Sequence, residues 1–195
     1  MAGHRERMVI SAALLIRERG AHPTAIADVL AHSGAPRGSA YHYFPGGRTQ
    51  LLSEAIDYAG EFIATRIERA RSGIELLDEL FAAYRGQLEQ TDYRAGCPVV
   101  AVTVEAGAPD GGTTPLIDRA AAAFERWNSA IAERLRHDGV AAERADDLAL
   151  FITASVEGAI VVARAARSTA PLDSVHNQLR TLVVAALPEG SVDDQ

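Results

Sequence analysis

Apolar positions recur along almost the whole chain at intervals of three and four residues, the spacing of a helix with one buried face. No β-branched run alternates with polar residues over a useful length, so an all-α fold is expected. Val9, Ala12, Ala13 and Ile16 make one stripe at i, i+3, i+4 and i+7, and Gly20 stands where that first helix should stop. Thr24 suits the cap of a second helix reaching about residue 33. Gly34 and Pro36 mark a turn. Beyond it a short helix over about 37–44 puts Ala40 and Phe44 on one side and Arg37 and Tyr41 on the other, and Pro45, Gly46 and Gly47 end it. Helical patterns follow at about 49–71, 74–90, 97–106, 115–136, 142–167 and 172–187, nine helices in all. Loops are expected at 107–114, 137–140 and 168–171, and a frayed tail from 189.

With 195 residues and 48% hydrophobic side chains, the chain is long and apolar enough to bury a real core. Its single cysteine, Cys97, excludes a disulfide framework, and zinc-finger CxxC pairs are missing; a reducing cytoplasm fits. The apolar residues 8–16 are flanked by charges and lack a small-residue cleavage site, which argues against a secretory signal. The run 148–163 is sixteen residues long and contains Glu157, whereas a spanning helix needs about 20. It is expected to be a buried or interfacial helix, with no membrane partner.

A net charge of −7 argues against nucleic-acid binding until its distribution is examined. Residues 1–50 hold six arginines against three acids, while the remaining residues hold thirteen arginines against twenty-three acids. A basic head on an acidic body is the asymmetry expected if only the head meets phosphate. Within it, Arg37, Ser39, Tyr41, His42 and Tyr43 crowd guanidinium, hydroxyl and aromatic donors into seven positions, which suits the phosphates and base edges of a DNA groove. The two helices around Gly34 and Pro36 read as a helix-turn-helix with a recognition helix.

The order and spacing of Gly34, Gly38-Ser39, Tyr41-His42-Tyr43-Phe44 and Arg48 resemble the TetR/AcrR family of bacterial repressors. The FPGGR segment and Gly96-Cys97-Pro98 look like its LmrA/YxaF-like branch. The chain departs from the family pattern at Ala25, Leu30, Ala40 and Arg48, where a hydroxyl, a small alanine, a larger aliphatic and a lysine are usual. The resemblance implies a helix-turn-helix domain at 1–46 and a ligand-binding and dimerisation domain at 47–195. It implies a homodimer on a roughly palindromic double-stranded operator, released by a small apolar or aromatic inducer, without a cofactor.

Candidate DNA contacts are Thr24, Arg37, Gly38, Ser39, Tyr41, His42, Tyr43 and Arg48. Gly38 would let the backbone approach the sugar-phosphate rail, Ser39, the tyrosines and Arg48 would hold phosphates, and Arg37 would read a base edge, guanine first. Tyr58, Phe62, Phe81, Tyr84, Phe124, Trp127 and Phe151 are candidates to line a ligand cavity. Glu105 and Glu157 stand inside apolar runs; a buried carboxylate must be paired or hydrogen-bonded, so either suits a cationic ligand or an arginine of the chain. Glu105 joins the ligand set. Cys97 reads as a small buried hydrophobe and Pro98 as a first-turn helical proline.

Gly158 inside a helix costs about 1 kcal/mol relative to alanine, which some close contact should offset. With Ala154, Val161 and Ala165 it makes a small-residue seam, and Val175, Leu179, Leu182, Val183 and Ala186 recur at helical spacing in the last helix. Two such helices per subunit could form a four-helix dimer interface. No HExxH, GxSxG, Walker A or GxGxxG motif occurs, and the paired Glu-x-x-His of a di-iron bundle is missing, so no enzyme and no metal site is expected. The alternative reading is a helical small-molecule carrier or enzyme with a vestigial DNA-binding head.

Overall fold

The computed structural model describes residues 3–105 and 114–188. Among these residues the fold is nine helices and no strand: α1 (His4–Arg19), α2 (Ile26–Ser33), α3 (Ser39–Tyr43), α4 (Gly47–Arg69), α5 (Gly73–Gln90), α6 (Pro98–Val104), α7 (Thr114–His137), α8 (Ala142–Ala166) and α9 (Ala170–Ala186). The tail from 189 and the loop at 107–114, apart from Thr114, lie outside the described residues. The residues expected to form a loop at 168–171 instead include the start of α9. Pro171 sits in its first turn, where a missing N–H removes no helical bond.

Two compact units form: Met1–Phe62 with Arg94–Ala123, and Ile63–Tyr93 with Phe124–Gln195. Helices α4 and α7 each contribute residues to both.

In the first unit, α1 packs on α2 and on α6. Met8, Val9, Ala12, Ala13 and Ile16 are all buried, the stripe expected from the spacing with one methionine added. Thr24 does not cap α2: it is fully buried and its hydroxyl donates back to the Gly20 carbonyl at 2.7 Å. The cap residue is Ala25, whose N–H donates to the Asp28 carboxylate at 3.1 Å. Gly34 ends α2 at φ +65°, a left-handed conformation that a side chain would strain, and the chain then turns into α3. Ala40 and Phe44 are buried as expected. The Arg5 guanidinium lies 5.2 Å above the Phe44 ring and pairs with Glu54 at 2.7 Å, tying α1 to the end of α3 and to α4.

In the second unit α5 packs on α8 and α9, and α8 packs on α9. Leu77, Phe81, Leu88, Leu135, Ile152 and Leu172 fill the core. α8 realises the apolar run of the sequence and extends it to 25 residues, long and apolar enough to cross a membrane by length and composition. Leu148, Ile152, Val156, Ala159, Ile160 and Ala163 face inward; the opposite face is exposed.

Phe81 stacks on His176 with centroids 4.8 Å apart. Beside this pair the Asp78 carboxylate accepts from His176 Nε2 at 2.8 Å and from Arg180. Burial alone would raise the Asp78 pKa, but the hydrogen bonds and charges of Arg180 and His176 outweigh it and hold the carboxyl below its ordinary 3.8. A carboxyl depressed by folding contributes stability above its ordinary pKa and loses it as pH falls through the folded value. Stability should therefore drop in acid below about 4. In denaturant titrations across pH, Asp78→Asn should be less stable at neutral pH and show a flatter acid limb; an unchanged acid limb would refute the assignment.

Candidate functional site

The α2 to α3 segment gathers the head's exposed donors. Ser39 N–H and hydroxyl both donate to the Pro36 carbonyl, at 3.0 and 2.7 Å, and fix the first turn of the short helix. With Ala40 and Phe44 inward, Arg37, Tyr41 and His42 point to solvent; Tyr41 is 69% exposed. Arg37 makes no hydrogen bond or ion pair within the described residues, so its fork of donors is free. The half-buried Tyr43 meets the His42 ring edge-on at 5.1 Å. Space over Gly38 is open, since a Cβ there would meet no atom within 4 Å. Of the eight expected DNA contacts, Arg37, Gly38, Tyr41 and His42 are exposed in this segment, and Ser39 and Tyr43 are half-buried beside them.

Thr24 and Arg48 do not join them. Thr24 is buried, as described above. Arg48 spends its guanidinium on backbone carbonyls of the α1–α2 loop, Nε on Thr24 at 2.9 Å and Nη2 on His22 at 3.0 Å and on Ala21. These bonds hold the α1–α2 loop against the start of α4.

In the second unit, Ile63, Ile67, Leu80, Tyr84, Trp127, Ile131, Ile152, Thr153, Val156 and Glu157 line a cavity of about 20 Å³, room for about one water. Of the eight expected ligand residues it brings together only Tyr84 and Trp127. Phe81 is fully buried against His176, and Phe124 stands edge-on to Trp127 at 5.3 Å. Tyr58 and Phe62 stack on each other at 6.3 Å on the exposed side of α4, and Phe151 is exposed on α8. Glu105 lies in the first unit, accepting from the backbone N–H groups of Ala21 and His22. Glu157, only 9% exposed, does reach the cavity, beside the buried hydroxyl of Thr153, which has no hydrogen-bond partner among the described residues. Ile67 also lines an open groove of about 430 Å³ between α4 and α7, bordered by Glu68, Arg126, Glu133, Arg134 and His137. Among the described residues no His, Cys, Asp and Glu group is placed to hold a metal.

Two family patterns match: bacterial regulatory proteins of the tetR family over residues 10–55, and the C-terminal domain of LmrA/YxaF-like transcriptional regulators over 73–178. The first runs from within α1 to the start of α4 and includes the donor-bearing α2 to α3 segment. The chain belongs to the TetR family. An HTH-type transcriptional regulator of Mycobacterium tuberculosis is 61% identical over 193 residues, spanning 98% of this chain and all of that one. The regulator LmrA of Bacillus subtilis is 29% identical over 172 residues, covering 86% of this chain and 90% of its own. A solved TetR regulator from Chloroflexus aurantiacus superposes with a TM-score of 0.75 at 27% identity, covering 94% and 96% of the two chains, and one from Legionella pneumophila shares the fold with a TM-score of 0.78 at 20% identity. The protein is a transcriptional regulator with a helix-turn-helix DNA-binding domain, of the LmrA/YxaF-like branch, and not an enzyme.

This TetR-family regulator carries the expected small-residue seam on α8. Phe151, Ala154, Gly158, Val161 and Ala165 are all exposed along one stripe, and a Cβ on Gly158 would meet nothing within 4 Å. On α9 the expected residues divide. Leu179 and Val183 are buried within the unit, Val175, Leu182 and Ala186 are half-buried, and the outward positions include Ser174, Asn177, Gln178, Thr181, Val184 and Ala185. The apolar periodicity of α9 describes its inner face, and the outer face carries no signal of its own.

Proposed function

We propose that this regulator is a repressor that binds a roughly palindromic operator as a homodimer in the cytoplasm, with residues 1–46 on DNA and 47–195 for ligand and partner. The observation that carries this reading is the exposed surface of Arg37, Tyr41 and His42, held by a buried Ala40 and Phe44, on which the Arg37 guanidinium is free of intramolecular bonds among the described residues. Genomic selection with the purified protein should enrich one sequence, and affinity should fall steeply with salt as phosphate contacts release counterions. Tyr41→Ala should weaken all sequences alike, whereas Arg37→Ala should relax discrimination at one base pair by about 1–3 kcal/mol. A selection that enriches nothing refutes the reading.

The inducer in this reading is a small apolar or aromatic molecule that enters between Tyr84 and Trp127. A site of about 20 Å³ must enlarge to take it, and Ile67, the wall shared with the open groove, is the side chain whose displacement joins the two spaces. Ile63 and Ile67 sit on α4, the same continuous helix that carries Arg48 at its start. Thr153 and Glu157 supply polar handles against the apolar wall. A ligand shifts the DNA equilibrium only by its differential affinity for the two states, and coupling of about 1–3 kcal/mol lowers operator affinity some 5- to 150-fold. Operator must weaken ligand binding by the same factor. Trp127, the single tryptophan, reports the titration; equal ligand affinity with and without operator would separate the cavity from regulation.

A further inference from the structure

The α1–α2 loop is held between two opposite charges from two other helices. Glu105, the residue that ends α6, accepts through Oε2 from Ala21 N–H at 2.9 Å and His22 N–H at 3.0 Å. Arg48, at the start of α4, donates to the carbonyls of the same two residues and of Thr24. Two consecutive residues therefore give their N–H groups to a carboxylate and their carbonyls to a guanidinium. These bonds are charge-assisted, and each ion polarises the peptide groups toward the other. Gly20 makes the approach possible: it sits at φ +90°, and a Cβ there would stand 1.9 Å from Glu105 Oε1. At its other end α6 is tied to α1 through Gly96 N–H, which donates to the Arg17 carbonyl at 2.8 Å. The segment leading into α6 is thus tied to α1, and the residue ending α6 to the α1–α2 loop.

We propose that Glu105 is a positioning residue for DNA binding, which with Arg48 sets the α1–α2 loop and through it the placement of α2 and the recognition helix. The loop leads into Ala25, the cap of α2, and Gly34 and Pro36 carry α2 directly into α3. Loss of either ion leaves Arg37, Tyr41 and His42 intact and exposed on a segment whose seat has loosened. Sequence-specific binding needs all three in register, whereas non-specific phosphate attraction needs only positive charge, here that of Arg37 and the other head arginines. The proposal rests on the operator reading above.

The test uses the full-length protein, the operator enriched by the wild type, and an unrelated duplex at low salt. Glu105→Ala should lose operator affinity at least about tenfold, as expected for two charge-assisted bonds, with its affinity for the unrelated duplex nearly kept. Glu105→Gln, which retains an acceptor of the same reach without the charge, should recover part of the loss, and more than Glu105→Asp, which keeps the charge but falls a methylene short. Arg48→Ala should weaken operator binding similarly, and the double variant should lose clearly less than the product of the two single losses, because both act on one loop. Wild-type binding by Glu105→Ala overturns the positioning role, as do losses that multiply, equal losses on both duplexes, or Asp restoring what Gln does not. If Glu105→Ala fails to fold, the order of the Gln and Asp variants still decides. A wild type that enriches no operator overturns the reading beneath this one instead.

Discussion

Gly158→Arg should yield a folded monomer whose operator affinity is lower by about 10²–10⁴-fold, the factor that separates two linked binding modules from one. A Cβ at Gly158 meets no atom of its own chain within 4 Å, so the substitution does not strain the subunit. What it obstructs is a close approach from outside, along the stripe of Phe151, Ala154, Val161 and Ala165. Two recognition helices must lie about 34–36 Å apart, or a multiple of that, to enter major grooves on one face of DNA, so the proposed operator binding requires the pair. Light scattering and operator titration check both halves: a wild-type monomer at micromolar concentration, or a dimeric Gly158→Arg, refutes the interface. The thermal midpoint should depend on protein concentration in the wild type and not in the variant, because only an associating chain is stabilised by its own concentration.

Phe44→Ala should destabilise the head by about 3–5 kcal/mol, the range for deleting a fully buried aromatic side chain. Phe44 is 1% exposed, closes α3, and carries the Arg5 guanidinium on its ring. The loss is large against the total stability of about 5–15 kcal/mol typical of a domain. Urea titration should show an earlier transition, and operator binding should fail together with it. Phe44→Leu should cost far less, because most of the volume remains. A variant with an unshifted transition would mean that the ring is not the anchor of the recognition helix.

The periodic parts of this structure are legible in the sequence, and the parts that hang on one side chain are not. The stripe on α1 and the inward pair Ala40 and Phe44 follow from helical geometry alone, since residues four apart must share a face. Thr24 is ambiguous for a physical reason: a hydroxyl ahead of a helix can accept from the first turn or bond back to the preceding one, and here it bonds back to Gly20. Glu105 and Arg48 take backbone groups as partners. Every residue offers such groups, so no side-chain pattern can point to them. Of the aromatic residues, Tyr84 and Trp127 line the cavity, whereas α4 turns Tyr58 and Phe62 outward and Ile63 and Ile67 reach it from that helix instead. Glu157 stands out as a carboxylate in an apolar run and does reach the cavity; its neighbour Thr153, an ordinary hydroxyl in a helical pattern, completes the polar part of the wall without any signal of its own.

The recognition helix has five residues, and this brevity bears on how such a regulator can change its targets over time. Folding depends on the side of that helix holding Ala40, with Phe44 just beyond it, while Tyr41 and His42, and Arg37 just ahead of the helix, are exposed and carry recognition in the proposed reading. Exposed positions away from packing tolerate substitution with little effect on stability. On the proposed reading, after a gene duplication one copy could acquire a different operator through a few codon changes while its body kept the same ligand and the same partner surface. Rewiring of this kind would let one chemical signal come to govern a second set of genes with no intermediate that fails to fold.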